Sequence, residues 1–431
     1  MATSTAAPTG RPAAAPPAGE TRGRRIWSLP TRLDTPLTSY YLVLGASIAL
    51  VCVGVVMVLS SSSVDAIASD DSPFTEFWKQ ILFAALGVPL MYTASRVSNR
   101  IWNLGAWLLL AGALLLQLMV FSGFGVSVNG NRNWISLAGL TLQPSECCKF
   151  ALVVWAAAVL ARKRKLLNDP VHALVPVVPG AVLVLGLVLL GHDLGTSLVV
   201  MALVAAMLFV AGAPLRLFGF ALLAGGVLVQ LMVTGSENRM GRIGTWLSGC
   251  EDGDPTSAAF YSGCLQARHG MWALASGGWW GVGLGGSREK WGLLPEAHND
   301  FIFAVIGEEL GLVGTLAVLG LFAILGYGLF RIVLRSDDLF VKIATSGVLT
   351  WVLGQAVINI GAVLGLLPVV GLPLPLVSSG GSALVMTMLA LGMVIGFARR
   401  EAGAPEALAV HGGLMQRSLA VLPVRRDRRA R

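Results

Sequence analysis

LPEAHNDFIFAVIGEELG, residues 294–311, decides how this chain is to be read. Glu296, His298 and Asp300 crowd into five residues, and the apolar run Phe301–Ile306 follows at once. Glu308 and Glu309 stand about a turn deeper in what reads as a membrane helix. Ionisable groups are expensive in hydrocarbon, so a cluster of them at a membrane boundary marks a functional site. A plainer reading competes with this one. Asn299 or Asp300 caps the helix, and the first-turn acids simply favour its dipole.

The rest of the chain supports the membrane setting. Its 431 residues are 55% hydrophobic and 13% charged, too little charge to clothe a soluble domain of that length. An all-α polytopic membrane protein is expected. The net charge of +8 does not point to nucleic acid, because the basic residues gather in the tails. Arg22, Arg24, Arg25 and Arg32 precede the first apolar run; Arg425, Arg426, Arg428, Arg429 and Arg431 come at the end. Such residues beside a membrane set topology and meet anionic lipid. Residues 1–39 are expected to be a disordered basic tail and 401–431 a second one. No short apolar core with a cleavage site follows the first Arg cluster, so the first span is read as an anchor and not as a signal peptide.

Runs long enough to cross hydrocarbon lie near 40–61, 78–95, 103–121, 145–161, 173–190, 194–212, 217–234, 301–330, 342–364 and 381–398. About ten spans put both termini on one side. The tails, Arg96, Arg100, Arg162–Lys165, Arg216, Arg331, Arg335, Lys342 and Arg399–Arg400 share that side, which is therefore cytoplasmic. The membrane domain runs over 40–400. Its large extracytoplasmic loop, 235–299, lies between the seventh and eighth spans and is too long for a simple connector. Trp272, Trp279, Trp280 and Trp291 within it suit an interfacial segment.

Three polar segments emerge on the outer face. The first contains GNRNWISLAGLTLQPSECCKF, residues 130–150. Ser145 is placed to cap a helix that Pro144 begins, with Glu146 in its first turn. Glu146 and Lys149 share a helix face. They are read either as a structural pair fixing the start of the fourth helix or as a cation held near an anionic substrate, with Arg132 as a second. The long loop adds Arg239 and Arg242, then Lys290 shortly before the acidic cluster. These cations fit a pyrophosphate arriving from the outer leaflet, or equally lipid headgroups. His192-Asp193 reads as a turn and cap. The third segment, GLLPVVGLPLPLVSSGGSALV (365–385), holds three prolines and four glycines within its first seventeen residues, which forbids a regular helix. Broken backbone at this depth must be buried by protein or line a cavity. Ser378–Ser382 opens the last helix with backbone N–H groups turned outward, either an anion site or a structural re-entrant turn.

Cys52, Cys147 and Cys148 read as small apolar packing residues. Cys250 and Cys264 lie in the outer loop and form a candidate disulfide that would stabilise it by about 3 kcal/mol. No Cys or His spacing suggests a structural metal. There is no Walker loop, and GVGLGG at 281–286 follows no strand, so nucleotide binding is not expected.

Taken together, Arg132 with Trp134-Ile135, QPSECCK (143–149), PEAHNDFIFA (295–304) and GLLPVVGLPLPLVSSGGS (365–382) resemble the SEDS family of bacterial cell-wall proteins, which includes FtsW, RodA and SpoVE. The resemblance covers about residues 40–400, and IGEELG and LPLVSSGGSA look closer to the FtsW branch. Asn299 stands where the family usually has Thr, Ser379 where Tyr is common, and Cys147-Cys148 where aliphatics are usual. The resemblance implies a peptidoglycan glycosyltransferase that polymerises lipid II at the outer face of the bacterial cytoplasmic membrane, at the division septum. It implies Asp300 as the catalytic residue. Arg132, Lys149, Arg239, Arg242 and Lys290 would hold pyrophosphate. Glu146, Glu296 and His298 would orient them, and Ser378 and Ser382 would complete the substrate-binding set. A divalent cation on the pyrophosphate stays open. The implied partners are polyprenyl-diphosphate-linked glycan, a class B penicillin-binding protein transpeptidase and other divisome membrane proteins. Two alternatives remain: a lipid II flippase, which would use Glu308, Glu309 and the broken helices, and a non-catalytic divisome scaffold.

Overall fold

Peptide groups in hydrocarbon must bond to one another, so long apolar runs close into helices. The computed structural model describes residues 37–68, 74–128, 131–137, 140–166, 174–235, 237–247 and 264–405, with 35, 72 and 172 as single residues between them. Its helices are α1 (Thr38–Ala68), α2 (Thr75–Arg96), α3 (Asn99–Met119), α4 (Pro144–Arg162), α5 (Val177–Leu190), α6 (Leu194–Ala211), α7 (Arg216–Thr234), α8 (Glu237–Leu247), α9 (Leu265–Ser276), α10 (Ile302–Arg335), α11 (Leu339–Val363) and α12 (Gly381–Ala398). Every predicted span carries one of them, and α8 and α9 lie within the long loop. Eight of the described helices are long and apolar enough to cross a membrane, which makes this a multi-pass membrane protein. The two remaining predicted spans fall on α2 and α5. α2 carries Glu76, Lys79, Pro89 and Arg96. α5 has 14 residues, about 21 Å of helix, shorter than a hydrocarbon core of about 30 Å.

The fold is helical as expected, with one small addition. The segment after α3 forms a small antiparallel sheet of β1 (Gly125–Val128), β2 (Asn131–Leu137) and β3 (Leu140–Leu142), in that order. Ile135 pairs with Gly125 on one side and Leu142 on the other, and a bulge interrupts the first pairing at Val126/Ser127. The sheet leads directly into α4, which begins at Pro144; Ser145 is buried inside the first turn and caps nothing.

α4 is the centre of the bundle, with 16 of its 19 residues buried. Such all-round apolarity is expected of a helix enclosed by others. In α7 only Val233 is buried. α12 packs along α2, α10 along α1, and α11 against both α6 and α4. The expected tail boundaries shift, because residues 38 and 39 already belong to α1 and Glu401 is part of the packed fold. Ser39 Oγ donates to Glu401 Oε2 (3.3 Å) and accepts from Arg331 Nε (3.1 Å), while Arg335 Nε lies 3.7 Å from the same carboxylate. The remainder of both predicted tails falls almost wholly outside the described residues. Cys264 is disulfide-bonded; its expected partner, Cys250, lies outside the described residues.

α10 is interrupted by Gly311, whose φ of 67° and ψ of −163° break the helical ladder. The segment 277–283 takes up the freed backbone groups. Val282 N donates to Glu308 O (2.9 Å) and Gly283 N to Glu309 O (3.1 Å). Leu312 N donates to Gly278 O (2.9 Å) and Val313 N to Trp279 O (3.3 Å). A side chain on Gly311 would meet the backbone N of Gly281 at 2.4 Å, so the close approach needs glycine. Trp279 and Trp280 flank this junction and are exposed, as interfacial aromatics would be.

Candidate active site

The N-cap of α10 is Phe301 and makes no side-chain capping bond. Asp300 is therefore not a cap. It precedes the helix at the wall of a small cleft that Asn359, Ala362, Val369, Gly371 and Leu372 also line. Its Oδ1 is buried and accepts no hydrogen bond. Burial disfavours the charged form and pushes the carboxyl up to about 7; the Glu296 carboxylate adds to the rise, and the Arg242 guanidinium opposes it. Gly371, at φ 74°, turns the opposite wall of the cleft. A Cβ there would stand 3.6 Å from Asp300 Oδ2. Three described residues with full side chains also occupy the left-handed region, His192 at φ 64° in the turn before α6, Glu296 at φ 56° and Leu376 at φ 67° in the segments that carry the cleft residues. Each stores about 1–3 kcal/mol, strain of a kind that gathers at functional sites.

The broken segment 365–380 holds the Asp300 loop in place. Ser378 Oγ donates to Asn299 O (2.6 Å) and accepts from Leu374 N (2.7 Å), while Ser379 N donates to His298 O (3.0 Å). Ser382 Oγ accepts from Gln143 N (3.1 Å), tying the start of α12 to the start of α4. Both hydroxyls thus knit the segment together, favouring the structural reading of Ser378–Ser382. α11 contributes two amides that the sequence reading passed over. Asn359 Nδ2 donates to Asp300 O (2.8 Å) and Leu372 O (2.7 Å). Gln355 Nε2 donates to Pro373 O (2.9 Å), and its Oε1 accepts from Lys149 Nζ (3.0 Å). The signal was present: amides four residues apart within an apolar helix require partners.

The candidate cations divide into three sets. Arg242 faces Asp300 electrostatically and donates to Val369 O at 3.4 Å. Its pKa lies below the usual arginine value, mainly through burial. Arg239, one turn earlier on α8, donates to His192 O (2.7 Å) and Met232 O (3.0 Å). Arg132 donates from its side chain to Ser122 O (2.8 Å), and its backbone N reaches Gly191 O (3.1 Å). The turn between α5 and α6 is thus held by the main chain of Arg132 and by the guanidinium of Arg239. There Asp193 caps α6 through Thr196 N (2.8 Å) and accepts from Gln143 Nε2 (3.0 Å), as a turn-and-cap residue should.

Lys149 is fully buried. It pairs with Glu146 at 2.8 Å and stands over the Trp351 ring at 5.0 Å. Lys290 is also buried and pairs with Glu309 at 2.8 Å, while donating to Ser60 O (3.0 Å) and Ser60 Oγ (3.2 Å). Both lysines are thus buried in ion pairs, which favours the structural reading of Lys149 and gives Lys290 the same kind of setting. Glu308 accepts from Arg288 N (2.8 Å) and from Ser287 Oγ. The two carboxylates that suggested a transporter thus fasten the loop to α10. Glu296 is exposed and His298 half-buried beside Asp300. Among the described residues, no three His, Cys, Asp or Glu side chains gather into a metal-binding group.

The sequence pattern of the FtsW/RodA/SpoVE family, described as cell cycle proteins, matches residues 40–402. A relative from Mycobacterium tuberculosis, named "Probable peptidoglycan glycosyltransferase FtsW", is 40% identical over 378 residues, which is 88% of this chain and 70% of the relative. A chain of a solved peptidoglycan synthase complex, described as coordinating polymerization and crosslinking, superposes with a TM-score of 0.65 at 29% identity, covering 84% of this chain and 98% of its own. Rod shape determining protein RodA of Thermus thermophilus superposes with a TM-score of 0.60 at 29% identity, covering 84% and 97%.

Proposed function

The chain belongs to the FtsW/RodA/SpoVE family of cell cycle proteins, and we propose that it is a peptidoglycan glycosyltransferase using Asp300 as its general base. The observation that carries this reading is the Asp300 carboxylate itself. The residue is half-buried at the wall of a cleft, its Oδ1 is buried with no donor among the described residues, and it faces Arg242. A base works best with a pKa near the operating pH, and burial has moved this one there.

The substrates are lipid II and a growing glycan joined to a polyprenyl lipid through pyrophosphate. The acceptor hydroxyl of lipid II gives its proton to Asp300 as its oxygen bonds to the anomeric carbon of the glycan. The bond from that carbon to the pyrophosphate breaks, and the lipid pyrophosphate leaves with the electron pair. Because pyrophosphate is already a good leaving group, a second carboxylate acid of the kind glycosidases use is not required. Arg242 and Arg239 hold the departing charge, while Arg132, whose guanidinium bonds Ser122 O, braces the turn at Gly191–His192 through its main chain. Glu296 keeps the proton affinity of Asp300 high. His298 supplies backbone anchorage.

The cleft opens on the extracytoplasmic side, with both termini cytoplasmic and loop 235–299 outside. The working complex includes a class B penicillin-binding protein transpeptidase, and the site of action is the division septum among other divisome proteins. The likeness to a synthase complex that coordinates polymerization with crosslinking supports this pairing.

The test is lipid II polymerisation by the purified protein with its cognate transpeptidase, wild type against Asp300→Asn. Glycan from wild type and none from the variant is expected. Equal product from both would remove the base. No product from either, with the partner bound, would favour the flippase or the scaffold, which a lipid II translocation assay would separate.

A further inference from the structure

Asn359 is 3% exposed and sits on α11 beside Asp300. Its Nδ2 donates to two main-chain carbonyls, Asp300 O and Leu372 O. A carbonyl only accepts, so the amide cannot be turned round, and its Oδ1 is left buried without a donor. An acceptor buried without a donor is costly. That cost is retained to fix two loops at once, the one carrying Asp300 and the broken segment at Leu372. One turn earlier Gln355 repeats the device, donating to the next carbonyl, Pro373 O, while accepting from Lys149. Residues four apart on a helix share a face, so the two amides stand as rungs one above the other. A continuous set of bonds therefore runs from the Glu146–Lys149 pair on α4, through Gln355, the 372–373 backbone and Asn359, to the main chain of Asp300.

We infer that Gln355 and Asn359 are positioning residues for glycosyl transfer, and that the buried Glu146–Lys149 pair acts on the chemistry through them without touching substrate. This rests on Asp300 being the base. Lys149 is fully buried, which forbids direct contact with a pyrophosphate, yet the pair is braced against the element that sets the cleft wall. Small displacement of a catalytic group costs about 100-fold in rate, so a device that holds a loop to within an ångström acts on kcat more than on KM.

Two variants separate this role from general packing. Gln355→Glu keeps the acceptor for Lys149 and strengthens that contact, but removes the donor to Pro373 O. Asn359→Leu removes both donations at similar volume. Each is assayed in the full-length protein with its transpeptidase, for lipid II polymerisation across pH and for thermal unfolding in detergent, beside Asp300→Asn. The expected result is a kcat lower by about 100-fold for both variants with KM little changed. The acidic limb of the pH profile, set by Asp300 among Glu296 and Arg242, is also expected to move. Should Asn359→Leu fail to fold, Gln355→Glu decides alone. Wild-type kcat in Gln355→Glu, or kcat and KM lost only in step with folded protein, overturns the inference while an inactive Asp300→Asn leaves the base assignment standing. Turnover by Asp300→Asn would remove the base assignment itself.

Discussion

Eight residues separate Asp300 from Glu308, and Glu309 follows directly, yet these carboxylates lead opposite lives. Glu309 has Lys290 at 2.8 Å and Ser60 Oγ at 2.6 Å; Glu308 has Arg288 N and Ser287 Oγ. The bonds from Lys290, Arg288 and Ser287 close the loop onto α10, and the one from Ser60 ties α1 to it. Among the described residues, Asp300 has an electrostatic neighbour in Arg242, a like charge in Glu296, and an Oδ1 without a donor. Saturated carboxylates hold a fold together. An unsaturated one, buried next to a cleft, is chemically available. The position of an acid relative to the membrane does not tell the two apart; its partners do.

The largest effect expected from breaking this contrast is at Asp300. Asp300→Asn should lower polymerisation by about 100- to 10,000-fold, the range of a general base, while the protein stays folded in the membrane. Retained turnover with normal membrane levels would place Asp300 among the structural acids. The opposite behaviour belongs to the saturated pair. Lys290→Met leaves the Glu309 charge buried without a counter-ion and should destabilise by about 3–5 kcal/mol, with most of that recovered by also replacing Glu309 with Leu. Detergent unfolding curves of the single and double variants read this out. If Lys290→Met instead leaves stability intact and removes lipid II binding, Lys290 is a substrate contact after all.

A pH series sharpens the contrast. The folded pKa of Asp300, about 7, lies above its unfolded value of 3.8, so Asp300 contributes stability below about pH 4 that is lost as pH rises through about 7. With Asp300 as the proposed base, catalysis runs the other way, because a base must be ionised to act. Turnover should therefore fall roughly tenfold per pH unit below about 7, and Asp300→Asn should gain stability over wild type as pH rises. A flat profile between pH 5 and 8 would contradict both. The smallest effect is expected at Gly371. Gly371→Ala adds about 1–2 kcal/mol of left-handed strain and a methyl 3.6 Å from Asp300 Oδ2, so kcat should fall further than stability does. Comparable kcat to wild type would show that the cleft wall has room to move.

Helix positions were legible because hydrocarbon thickness imposes a run length on apolar segments. Asp300 was legible because it stands in a motif with Glu296 and His298. What escaped was anything decided by a distant partner. The strands GVSV and LTL are four and three residues long, too short for alternation to speak. Gly311 sits in an apolar run where a membrane helix tolerates glycine, and its backbone partners lie some thirty residues earlier. Lys290 stands ten residues before Asp300 in sequence, but in space it belongs to Glu309 and Ser60. Gln355 and Asn359 were readable by the rule that polar groups in hydrocarbon need partners, and only their partners were hidden.

The notch in α10 also constrains how this protein is made. Glu308 O, Glu309 O, Leu312 N and Val313 N are satisfied by residues 278–283, which leave the ribosome before α10 does. A helix delivered to the bilayer with those groups bare carries several kcal/mol for each one. The glycine-rich loop and the eighth predicted span must therefore mature as one insertion unit. Any truncation or fusion placed between residues 283 and 311 would strand a helix that the lipid phase rejects.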